Sequence, residues 1–245
     1  MVGVTLMDGA ELSRSMSKRA APNSKRADEP TEHHEKRRSM GVEEVRELYA
    51  GEAQTLARLS WVDRLLVGRY RRRLFGRAGG RVLDVACGTG MNARYLPEDA
   101  EYVGVDVSPE MLRIAEETLD RLERDAVLVE MDAQSLGFPD DSFQTVVSSL
   151  STCTFPDPVS ALREMERVCA PDGRILLLEH GRSDVGPIAR LQDWRADAHY
   201  RKHACRLNQE PIAVVSRAGL SVRATETGLL GVLTAIEARP TAGSS

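Results

Sequence analysis

From Val42 to Leu74 apolar residues recur every three or four positions. VEEVRELYAGEAQTLARL carries one such stripe, and Trp61 to Leu74 carries a second with arginines on its polar side, so the pattern predicts two amphipathic helices. Gly79 and Gly80 break it, and the period changes. RVLDVA is a short β-branched run ending in a glycine-bearing turn, the pattern of a strand buried on both faces. The chain then alternates between the two periods: a helix from Asn92, strand YVGVD, a helix from Pro109 to Arg124, strands AVLVEM and FQTVVSSL, a helix from Pro158 to Cys169, and strand RILLLEH. Strands alternating with helices are joined by crossovers, which makes the sheet parallel. Helical stretches from Ile188 to about His203 and from Gln209 to Ala218 follow. LSVRATET and LLGVLTAIEA, on either side of Gly228, fit a closing antiparallel hairpin. The expected fold is α/β and doubly wound: a mostly parallel seven-stranded sheet with a C-terminal antiparallel hairpin and helices on both faces.

Residues 1–39 show neither period. Their mixed-charge segment SKRAAPNSKRADEPTEHHEKRRS cannot bury enough apolar surface to offset its ordering entropy, so a disordered polar tail is expected. Lys18, Lys25 and Lys36 fall in it, whereas the remainder has Lys202 alone; that shift makes Met40 an alternative start. The domain reading is a tail over 1–39, helices forming part of a lid over 40–78, one catalytic domain over 79–240 with acceptor-side helices at 188–218, and a loose end over 241–245. A chain of 245 residues, 42% hydrophobic, suits one such core.

Other features exclude function classes. No run approaches the roughly 18 apolar residues of a membrane span, and the N-terminus lacks a secretory apolar region, which predicts a cytoplasmic protein. The net charge of −4, without a basic stripe interleaved with aromatics, disfavours a nucleic-acid partner. Cys87, Cys153, Cys169 and Cys205 form no C-x-x-C pair, so they read as reduced thiols.

The central chemical signal is VLDVACGTG, where a strand runs into Gly88-Thr89-Gly90. Glycines there let the backbone turn tightly and approach a ligand at the carboxyl edge of the sheet. A P-loop is excluded, since no G-x-x-x-x-G-K-[ST] is present. Ala93 stands where a dinucleotide fingerprint usually has its third glycine, which leaves NAD as the runner-up ligand. Asp106 closes YVGVD, placed to accept hydrogen bonds from both hydroxyls of a ribose. Ser108 and Pro109 already supply the following helix cap, so the carboxylate is expected to be free.

VLDVACGTG, GVDVSPEML, MDAQSLGFPDDSF and VCAPDGRILLLEH together resemble the successive motifs of class I methyltransferases, most of all the branch of ubiquinone and menaquinone biosynthesis enzymes. The resemblance covers about Val82 to His180 and implies a Rossmann-like fold with S-adenosylmethionine as methyl donor. It implies that Asp84 and the turn Ala86, Cys87, Gly88, Thr89 and Gly90 lie near the donor's methionine portion. Asp106 with Val107 and Met111 would meet the ribose side, Asp132 with Ala133 the adenine, and Ser149 the end of the cleft. A carboxylate at Asp132 can accept from the adenine amino group while the Ala133 N–H donates to a ring nitrogen.

VVSSLSTCTFPDP, LLLEHGRS, Trp194 and HACRLN followed by SRAGL are similar to the methyltransferase-like thiol S-methyltransferases. Ala204 and Gln209 depart from that pattern, where glycine and arginine are usual, and residues 1–39 do not resemble the apolar anchor of its mammalian members. The implied acceptor is a small molecule: a thiol, or a quinone precursor or lipid-like compound methylated on carbon or oxygen. Tyr49, Cys153, Trp194 and His199 are pocket candidates, with Trp61 and Tyr200 as further aromatics. His180, beside Glu179 at the end of RILLLEH, is the candidate base. His199, His203 and Cys205 could suggest a metal, but no carboxylate or second cysteine falls at ligand spacing, so none is expected. A donor-binding regulatory protein without turnover remains the alternative from another class.

Overall fold

A computed structural model of the chain describes residues 5–6 and 39–241. Its sheet contains β1 (Thr5–Leu6), β2 (Arg81–Val85), β3 (Glu101–Asp106), β4 (Ala126–Glu130), β5 (Phe143–Ser149), β6 (Cys169–His180), β7 (Ser221–Gly228) and β8 (Leu233–Arg239). The order is β1-β7-β8-β6-β5-β2-β3-β4. β2 pairs in parallel with both β3 and β5, β4 and β6 extend the parallel array, and β8 and β7 close it antiparallel. The seven expected strands are all present. The two-residue β1, inside the expected tail, adds an eighth at the edge; of the rest of that tail, residues 1–4 and 7–38 lie outside the described residues.

The helices are α1 (Val42–Phe75), α2 (Pro109–Arg121), α3 (Pro158–Val168), α4 (Gly186–His203) and α5 (Pro211–Ala218). Proline stands in the first turn of every helix but α1, a position where its missing N–H is harmless. Ser108 caps α2 by accepting from Met111 N, as expected. Two expectations change. The two N-terminal helices are one helix of 34 residues, because the junction Leu59-Ser60-Trp61 contains neither glycine nor proline to break it. The helix expected from Asn92 is only a 3-10 turn, Met91–Tyr95, which stops short of Pro97.

Side-chain alternation along the strands divides the core. Leu83, Val85, Val103 and Val105 face α3 and α5, where Leu162, Met165 and Val215 are fully or almost fully buried. Val82, Tyr102 and Leu176 face the other side, under Tyr70, Leu74 and Phe75 at the C-terminal end of α1. The N-terminal half of α1 packs differently: Ala53 meets Met111 and Ile114 of α2. α1 thus runs from the sheet core out over its carboxyl edge. No helix of the described residues is long and apolar enough to cross a membrane.

Candidate active site

The strand order reverses between β2 and β5, and such a switch point opens a crevice at the carboxyl ends of the strands. A cavity of about 240 Å³ lies there. Its floor comes from the turns after four strands: Ala86 to Thr89, Asp106 and Val107, Asp132 and Ala133, and Ser149. Met111 of α2 also lines it, while Val42, Tyr49, Leu56, Asp63 and Arg71 of α1 cover it.

The two glycines of the first turn do different jobs. Gly88 has φ +54° and a Cβ there would meet no protein atom, so its open side belongs to the cavity. Gly90 has φ +74° and a Cβ would lie 3.3 Å from Ala115 Cα; its bareness lets α2 approach. Gly90 therefore does not line the cavity, contrary to expectation.

Asp84 does not line it either. Strand parity turns its carboxylate to the α1 and α2 side, fully buried, where it accepts from Asn92 Nδ2 at 2.9 Å and Tyr102 OH at 2.8 Å. Burial raises its pKa to about 6 against those hydrogen bonds. Its effect reaches the cavity through Asn92, which lines it and whose Oδ1 is buried with no partner among the described residues.

Asp106 is less free than expected. Gly88 N donates to Oδ2 at 2.9 Å and Ser108 N to Oδ1 at 3.0 Å, so the carboxylate fixes both flanking turns. Burial raises its pKa and these N–H groups pull it back. Two oxygens offer about four lone-pair sites, so two remain for a ligand. Asp132 accepts from Gln134 N at 2.9 Å and Gln134 Nε2 at 3.1 Å, both on Oδ1.

Sequence reasoning missed Arg71. Buried on the inner side of α1, it ion-pairs with Asp63 and donates to Ser149 Oγ from Nη2 at 2.9 Å and from Nε at 3.1 Å, tying the helix to β5. In RYRRRLF one arginine looks like the next until the helix register is known.

The remaining candidates scatter. Tyr49 lines the cavity and its OH donates to His203 O at 3.2 Å. Trp194 is 78% exposed on α4, a helix whose one buried residue is Ala189, so it is not a pocket wall. Trp61 is also exposed, and Tyr200 instead carries Arg206 over its ring. His199 packs against His203 with the rings tilted by 39° and 4.7 Å between centroids, and does not line the cavity.

Cys153 and His180 lie outside the cavity lining but next to each other: Cys153 Sγ is 3.0 Å from His180 Nε2, which is 3.1 Å from Cys205 Sγ. Hydrogen bonds donated by Cys153 and by the His180 ring push the Cys205 thiol down, while the bond to Cys205 and burial push Cys153 up. Burial opposes charge on His180, but the Cys205 contact outweighs it and raises the imidazole. The ring is thus committed to sulfur and does not face the cleft as a free base.

Beside it Glu179 is buried, accepts from Thr152 N at 3.2 Å, and leaves Oε1 without a partner among the described residues. Burial raises its pKa to about 7. A folded-state pKa above the unfolded one contributes stability that is complete below about pH 4.5 and is lost as pH rises through about 7. Between about pH 4 and pH 8 the stability difference between Glu179→Gln and the parent should therefore move by roughly 3 kcal/mol in favour of the variant. Denaturant melts at both pH values measure it, and a difference independent of pH would show that Glu179 is solvated or paired.

A family model described as a methyltransferase domain matches residues 83–177, the segment from β2 through most of β6 that builds this floor. Those residues carry a methyltransferase domain. Over 118 residues it is 40% identical to a demethylmenaquinone methyltransferase of Thermus thermophilus, covering 45% of this chain and 54% of that protein. Over 116 residues it is 37% identical to a phosphatidylethanolamine N-methyltransferase of Cereibacter sphaeroides, covering 46% and 57%. The chain thus spans about half the length of the curated relatives it matches. A solved SAM-dependent methyltransferase from Aquifex aeolicus shares the fold, with TM-score 0.57 and 17% identity over 77% of this chain and 98% of that one.

The floor of this methyltransferase domain fits the donor such domains take, S-adenosylmethionine. The unpaired Asn92 Oδ1 is an acceptor for an ammonium group, the open side of Gly88 admits a ligand against backbone, and Asp106 keeps acceptor capacity for hydroxyls.

Proposed function

We propose that this chain transfers the methyl group of S-adenosylmethionine to a small apolar acceptor, and that the acceptor atom is a thiol sulfur. One observation carries the donor half: an unpaired amide oxygen, a bare glycine and a half-used carboxylate converge on one cavity at the switch point. In this reading Asp106 grips the ribose hydroxyls, and Asp132 with the Ala133 N–H reads the adenine edge. Asn92 Oδ1 takes the ammonium of the amino-acid arm and Arg71 its carboxylate. When bound, the donor supplies a methyl group on a cationic sulfur, already activated for in-line displacement.

The protein's remaining task is to hold an acceptor at attack distance and keep water out. Val42, Val45, Leu56, Leu150 and Phe155 give that side of the cavity an apolar wall. No histidine lines it among the described residues, and its carboxylates are held in hydrogen bonds or an ion pair. A nucleophile that ionises near neutral pH without a dedicated base suits such a site, which favours a thiol. The names of the relatives favour a second reading, carbon or oxygen methylation of a quinone precursor. The reading includes a cytoplasmic location and no nucleic-acid partner.

The test is incubation of the purified chain with S-adenosylmethionine and matched panels of small alkyl and aryl thiols and demethylated quinols, read by product mass. S-methylated product from the thiol panel is expected. Product from quinols alone would select the second reading, and donor binding without any turnover would make the chain a regulatory binder.

A further inference from the structure

Three soft or borderline donors converge beside the cavity from three parts of the chain. Cys153 is in the loop after β5, His180 ends β6, and Cys205 follows α4. Their ligand atoms lie 3.0, 3.1 and 3.5 Å apart, the 3.5 Å separation being between the two sulfurs. They are the group of three metal-capable side chains that the described residues bring within coordinating reach. We propose that Cys153, His180 and Cys205 form a binding site for a thiophilic divalent cation, Zn²⁺.

The geometry is close to what zinc requires. With Zn–S near 2.3 Å and Zn–N near 2.0 to 2.1 Å, tetrahedral coordination sets S···S at about 3.8 Å and S···N at about 3.6 Å. The three atoms need to spread by only about 0.3 to 0.6 Å. Two thiolates neutralise the ion, which a buried site demands, and their two protons leave to solvent on binding. The donors are held in place without the metal: Arg206 N donates to Cys153 O at 3.1 Å and Arg206 Nη1 to Phe155 O at 2.8 Å, which fixes the Cys205 loop against the Cys153 loop. Three protein ligands leave the fourth position to water.

Bound there, zinc clips the segment after α4 to the carboxyl edge of the sheet, beside Tyr49. The inference does not depend on the methyl acceptor, since metal binding is read without turnover.

The experiment uses the full chain, reduced with a non-chelating phosphine and freed of metal. Zn²⁺ is titrated in competition with a chromophoric chelator, and Co²⁺ is used as a spectroscopic stand-in. One equivalent of Zn²⁺ should bind, and the Co²⁺ form should show thiolate charge-transfer and intense tetrahedral visible bands. Cys153→Ser and Cys205→Ser should each weaken zinc binding beyond the 10- to 100-fold that outer-shell changes cost, whereas Cys169→Ser and the tail pair His33→Ala/His34→Ala should leave it unchanged.

A second arm needs no variant and stands if the serine proteins fail to fold. Alkylation followed by mass analysis should find Cys205 shielded by Zn²⁺, with Cys87 and Cys169 unaffected. Zinc binding that survives in the Cys153→Ser/Cys205→Ser double variant, binding that follows the tail histidines, or equal alkylation of Cys205 with and without zinc overturns the proposal.

Discussion

Asp106→Ala should weaken S-adenosylmethionine binding roughly a hundredfold, the scale of losing charged hydrogen bonds worth about 1.5 to 3 kcal/mol each. The loss has two sources. The ribose would lose its acceptor, and the Gly88 and Ser108 N–H groups would lose the carboxylate that sets both turns around the cavity. Asp106→Asn should fall between the two proteins, because its amide keeps one acceptor oxygen but presents N–H where another N–H already points. Calorimetric titration with the donor measures both variants. Affinity unchanged in Asp106→Ala would remove this carboxylate from the donor site.

Arg71→Ala should cost about 2 to 3 kcal/mol of stability and most of the donor affinity together. Removing one partner of a fully buried ion pair costs about 3 to 5 kcal/mol. Asp63 keeps a side chain 26% exposed, so water recovers part of that here. What water cannot replace is the bond to Ser149, by which α1 is held down on β5. Arg71→Lys should restore the charge but not the forked contact, and so recover stability more than binding. Denaturant unfolding and donor titration on the same samples separate the effects. Full donor affinity in Arg71→Ala would show that another group holds the amino-acid arm.

What could be read from the sequence was whatever is encoded within one strand–turn–helix unit. The Gly88 turn, the Ser108 cap and the position of Asp106 all depend on neighbours in the chain, and each stands where the motif puts it. Side-chain direction was harder. Asp84 is only four residues from Gly88, yet the alternation of β2 turns it away from the cavity. Residues brought together by topology left no trace at all. Cys153 and His180 are 27 positions apart and Cys205 a further 25, so no spacing rule joins them. Trp194 misled because an aromatic residue in the acceptor-side helices suggests a wall, whereas α4 buries little beyond Ala189.

The unbroken course of α1 limits how a guest reaches the crevice. A roof that shares its backbone with a load-carrying strut cannot swing as a separate door. Its far end is fastened by Met40 N to Tyr200 OH and by Tyr49 to His203 O, and its root by Arg71. Any movement of that roof falls to its first turns or to a bend near Gly51 within the helix, rather than to a separate hinged segment.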